Sequence, residues 1–254
     1  GVVAGAWALA LAADLSGRGS WVHHHNVAGS PTAAGVSLYL AAWTGMVVAM
    51  MVPTALPLIR LFGRAAAGQD GAGATRATFV AAYVVVWLVF GVAVLLMDMG
   101  IHRAVDSWPW LRERPWLIPG GTLLAAGLFQ FSDLKTSCLT ECRHPASYLL
   151  RHYRRGRRAA FRMGVGHGLF CLGCCWALML LMFGMGVANI AWMAVLTAVM
   201  VIEKNLPGGD RAVRVFGAAL VALAILVLAQ PGWTPSALRY NAETQAAAAH
   251  HLHS

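Results

Sequence analysis

Charge is what this chain of 254 residues has least of: 11% of them are Asp, Glu, Lys or Arg, against roughly a quarter in an ordinary soluble domain. Acidic side chains are scarcest, 10 against 19 Lys and Arg. The chain has no G-x-x-x-x-G-K-[ST] loop and no G-x-G-x-x-G turn, so nothing in it offers a phosphate cradle for a nucleotide. No Ser/His/Asp set and no paired-carboxylate spacing stands out, which weighs against hydrolytic chemistry. Five cysteines are an odd number, and three of them fall between 171 and 175. That is thiol or metal chemistry rather than a secreted disulfide framework.

What the chain has in abundance is apolar sequence, with 59% hydrophobic residues and a mean hydropathy of +0.63. Several runs approach the ~20 residues a helix needs to cross a bilayer. The pattern predicts an all-α polytopic transmembrane bundle of about six or seven spans, near residues 1–15, 35–62, 76–99, 117–134, 163–185, 187–203 and 212–230. The chain starts at Gly1, so its first apolar run is read as the end of a span or a piece of a longer one. Between the spans lies a basic loop, 135–162, and after them a His-containing tail, 231–254.

With the N-terminus inside, loops 60–76, 135–162 and 203–214 carry fourteen of the 19 basic residues. The positive-inside rule then predicts an N-in, C-out arrangement. It also explains the net charge of +9 without a nucleic-acid partner. The RRGRR stretch at 154–158 suits an anchor to anionic lipid, and Trp108, Trp110 and Trp116 an outer interfacial belt. His23, His24 and His25, with His250, His251 and His253 in the tail, fall on the outer side, as metal-capturing tracts or as ordinary solvated histidines.

Residues 166–180, GHGLFCLGCCWALML, concentrate soft ligands inside an apolar run. At about 100° per residue, His167, Cys171, Cys174 and Cys175, with Met163, Met182 and Met185, share an arc about 120° wide. From His167 to Cys175 the rise is about 12 Å, so one ion could touch only a subset. Thiolates and thioethers select Cu(I), zinc or iron–sulfur over hard ions. The competing role is packing, since a lone cysteine behaves as a small hydrophobe. Gly164 and Gly168 give a small-xxx-small spacing that lets a neighbouring helix come close. Cys138 and Cys142, four apart before Pro145, share a face at the inner end of the fourth span, as a group within reach of the cluster or as two free cysteines of an ordinary basic loop.

Three other groups are candidates. Met50 and Met51 lie in the Pro-kinked second span (Pro53, Pro57), as a soft-ion path or as flexible packing. Asp98 and His102 are four apart near the outer end of the third span, as an embedded functional pair or a solvated one. Glu203 and Lys204 read as an interfacial ion pair, with Glu203 alternatively turned into the bundle.

The segments AMMVPTALPLI (49–59), GLFQFSDLKTSCLTEC (127–142) and HGLFCLGCCWALMLLMFGMGVANIAWMAVLTAVMVIEKNLP (167–207) resemble a bacterial family of predicted metal-binding integral membrane proteins, the domain of unknown function 2182, in places called a copper chaperone. The resemblance covers roughly residues 35–230 and is most specific in the Cys-rich and EKNLP parts. It implies a bacterial inner-membrane protein, with metal candidates at Cys138, Cys142, His167, Cys171, Cys174 and Cys175.

Together these readings point to a protein that handles or delivers copper, with zinc as the other candidate, rather than to an enzyme with an organic substrate. Expected partners are the lipid bilayer, and either other membrane subunits or a periplasmic metal carrier. A metal-bearing subunit or assembly factor of a membrane oxidoreductase, and a scaffold whose cysteines only pack, are the rival expectations.

Overall fold

The computed structural model describes residues 1–15, 32–114, 116–185 and 190–230, with the side chains of 13, 14, 102, 106, 112 and 183–185 outside that description. His23, His24, His25, the 231–254 tail and the His102 side chain therefore lie outside the described residues. Among the described residues the fold is all helix: α1 (Val2–Leu15), α2 (Ala33–Ala66), α3 (Ala72–Ser107), α4 (Pro109–Arg112), α5 (Leu117–Phe129), α6 (Asp133–Arg143), α7 (Pro145–His152), α8 (Arg157–Met185), α9 (Ile190–Asn205) and α10 (Gly209–Ala229).

Four of these, α2, α3, α8 and α10, are long and apolar enough to cross a membrane. That is fewer than the six or seven spans the hydropathy pattern predicts. The predicted fourth span, 117–134, stops at Phe129 because Ser132 caps a new helix, its hydroxyl accepting from the Lys135 N–H at 3.2 Å. The 13 residues of α5 rise about 20 Å, short of the ~30 Å hydrocarbon core. The predicted sixth span falls on α9, whose 16 residues end with Glu203 and Lys204 buried. The stretch 135–162 folds into α6, α7 and the first turns of α8, with Pro145 at the start of α7, where its missing N–H costs nothing.

Helix α8 is the axis of the bundle and packs on α3, α5, α6 and α9. Its longest contact is with α3, and glycine makes it possible. A Cβ at Gly164 would sit 2.3 Å from the Phe79 carbonyl oxygen, and one at Gly168 would sit 2.9 Å from Val86 Cγ2. The small-xxx-small pair is thus where two backbones approach. Gly164→Ala is expected to lower stability by about 1–3 kcal/mol despite alanine's better helix propensity, because a backbone carbonyl cannot yield as a side chain can. A lower Tm in mild detergent is the readout.

Pro53 has a local partner. It removes the N–H that would bond the Ala49 carbonyl, and the Trp7 indole N–H of α1 donates to that oxygen at 3.0 Å. A proline that frees a carbonyl inside the bundle thereby ties α1 to α2.

Candidate metal centre

The i, i+4, i+7, i+8 spacing of α8 turns His167, Cys171, Cys174 and Cys175 inward together, and all four are buried. Helix α6 crosses α8 at Gly173, where an added Cβ would lie 2.5 Å from Cys138 Sγ. The missing side chain lets α6 press its cysteine face onto α8. One turn further on, Cys142 Sγ lies 3.9 Å from Cys174 Sγ, which is 3.5 Å from Cys175 Sγ. All five cysteines are free thiols.

Two sulfurs bound to one ion at about 2.3 Å and a tetrahedral angle stand about 3.8 Å apart. The Cys142–Cys174 and Cys174–Cys175 separations bracket that distance. The sulfurs form a chain rather than a closed shell, and among the described residues no three His, Cys, Asp or Glu side chains are gathered as a metal ion would hold them.

Cys171 has different company. Its Sγ lies 3.0 Å from the Tyr83 hydroxyl and 3.0 Å from the Lys204 ammonium. Lys204 Nζ also donates to Thr54 Oγ1 at 3.3 Å, and that hydroxyl donates to the Met51 carbonyl at 2.8 Å. Lys204 is 4% exposed. A buried ammonium requires a partner able to carry negative charge, and of its two neighbours only the sulfur can.

Outside the long helices, the Cys142 thiol is held above the ordinary cysteine range by its contact with the Cys171 sulfur and by burial, against the pull of Cys174 and of the Lys204 ammonium. Burial raises the half-buried Cys138 thiol as well. Both stay protonated at neutral pH until a cation compensates the thiolate.

The other predicted residues separate into those near the sulfurs and those away from them. Met50 and Met51 are fully buried in the same core cluster as the cysteines, and the Tyr83 hydroxyl donates to the Met51 carbonyl at 3.3 Å. His167 sits in an aromatic cage, with ring centroids of Tyr148, Tyr83 and Phe79 at 5.6, 5.7 and 6.5 Å. Its Nδ1 is buried without a hydrogen-bond partner. Asp98 is buried on α3, about 22 Å along the helix from Tyr83, and so does not join the sulfur group.

Glu203 and Lys204 do not pair with each other. Neighbours in a helix diverge by about 100°, and here each finds a different partner. Glu203 takes the Lys135 ammonium at 2.7 Å and the Gln130 amide at 3.1 Å, while its carbonyl accepts from Arg143 Nε at 2.7 Å. Arg143 also pairs with Asp210. Lys135, Tyr83 and the inward role of Lys204 are what sequence reasoning missed. For Lys204 the available signal was its position at the end of an apolar helix, α9; Lys135 stands in the polar α6 and offered none.

A family model described as a copper chaperone, PpoB2, matches residues 40–227. The chain belongs to the PpoB2 copper chaperone family. The match takes in every cysteine and both buried lysines, and agrees with the resemblance carried by the Cys-rich segments. No curated protein and no solved structure matches the chain. For a copper chaperone family the cargo is a soft cation, which suits sulfur donors in an apolar pocket.

Proposed function

We propose that this protein holds and passes on copper(I) in a membrane, binding it between the sulfurs of Cys142, Cys174 and Cys175, with Cys171 beside them. The observation that carries the reading is the Cys142–Cys174–Cys175 chain, two helices contributing thiols at separations one ion could bridge. Each thiol that ligates gives up its proton, and the ion offsets the cost of a thiolate in apolar surroundings. Cys138, half-buried at the Gly173 edge, is the sulfur best placed to exchange copper with a carrier. The basic helical ends of the chain favour the cytoplasmic side of a bacterial inner membrane.

Elemental analysis of protein purified without an affinity tag, in mild detergent under reducing conditions, tests this. Near-stoichiometric copper that is lost in Cys174→Ser is expected. No copper after loading with Cu(I), or equal copper in wild type and variant, would sink the reading; zinc in its place would rename the cargo.

A further inference from the structure

Away from the sulfur group, the molecule has a cleft of about 420 Å³ along the first turns of α8. Four arginines, 154, 155, 158 and 162, form its rim, and Met163, Gly166 and Phe170 line its deeper part. We propose that this cleft binds a phosphate-bearing anionic headgroup, supplied by a membrane phospholipid whose chain lies along the apolar end.

Three features converge on an anion at the rim. Among the described residues no carboxylate pairs with any of the four arginines. Helix α8 opens with Arg157 and Arg158 and has no acidic residue in its first turn, so its cations stand at the helix end that disfavours them. Arg158 and Arg162, four apart on that helix, repel each other as well. Local choices that oppose stability in this way mark sites kept for binding, and a phosphate oxygen among these guanidinium groups offsets all of it.

The shape of the cleft selects the source of the phosphate. From Arg158 to Phe170 it follows α8 for about 18 Å, charged at the mouth and apolar below. A free phosphate would use the mouth alone, whereas a phospholipid matches both parts. The helix that forms the cleft is itself long and apolar enough to cross a bilayer, which puts the mouth where a headgroup layer would lie. The inference does not depend on the copper reading.

Native mass spectrometry of the delipidated full chain in neutral detergent, titrated with phosphatidylglycerol, is the test. One tight phosphatidylglycerol adduct is expected. Because each basic residue at a membrane surface contributes roughly fivefold, the triple variant Arg155→Gln/Arg158→Gln/Arg162→Gln should weaken it about a hundredfold. Ala159→Trp, which fills the cleft without removing charge, should weaken it too and covers the case in which the triple variant does not fold. Arg211→Gln/Arg214→Gln, exposed arginines on α10, should leave it unchanged. Equal losses in the α10 variant would reduce the effect to diffuse surface charge and overturn the proposal. So would equal affinity for zwitterionic phosphatidylcholine. Full displacement by millimolar inorganic phosphate would make it a free-anion site instead.

Discussion

Lys135→Met is expected to cost about 3–5 kcal/mol of stability, the penalty of leaving a buried carboxylate without its cation. Both side chains of the Lys135–Glu203 pair are 1% exposed, and their atoms lie 2.7 Å apart. The Gln130 amide completes the carboxylate's hydrogen bonding at 3.1 Å, so Glu203 joins the turn after α5, the start of α6 and the end of α9. Methionine keeps the lysine stem's volume and removes the charge alone. The double variant Lys135→Met/Glu203→Gln should recover most of the loss, since a buried pair replaced at both ends often costs little. Denaturant titration in detergent measures both; a loss below about 1 kcal/mol for the single variant would place the pair in effective contact with water. The pair also holds α6 against the bundle, so the single variant should loosen Cys142 from Cys174.

The second large effect is on cargo. Cys174→Ser should weaken Cu(I) binding by more than the ~100-fold typical of altering a group that merely supports a ligand, because it removes the middle sulfur of the chain. Cys138→Ser should change equilibrium affinity only a few-fold yet slow transfer, since its sulfur faces Gly173 rather than Cys174. Competition with a calibrated Cu(I) chelator separates the two, with affinity read at equilibrium and transfer read by stopped flow. Equal affinity losses in the two variants would mean that Cys138 belongs to the same shell.

The sequence carried the Cys and His positions on the face of α8, while the Met185 side chain, read onto the same arc, lies outside the described residues. His167, Cys171, Cys174 and Cys175 follow helical arithmetic, and burial on that face needs no tertiary information. The Gly164–Gly168 approach was also legible, because absent side chains mark where another backbone can come close. Partner identity was not. Lys135 stands among the charges of a basic stretch, and nothing in its neighbours says that a cap at Ser132 will turn it inward towards a carboxylate 68 residues away. Lys204 follows Glu203 directly, and adjacency suggested a pair that helical geometry forbids. Among the described residues four helices are long and apolar enough to cross a membrane, against the six or seven spans expected, for a related reason. Hydropathy runs through residues 117–134, while Ser132 breaks the helix there, a decision made by one hydroxyl rather than by average polarity.

The central claim is that sulfur atoms from α6 and α8 hold copper(I) together. X-ray absorption at the copper K-edge of the Cu(I)-loaded, untagged protein tests it most directly. The account predicts a first shell of sulfur alone, lost in Cys142→Ser/Cys174→Ser/Cys175→Ser. A shell of nitrogen or oxygen, or a sulfur shell unchanged in that variant, would contradict it.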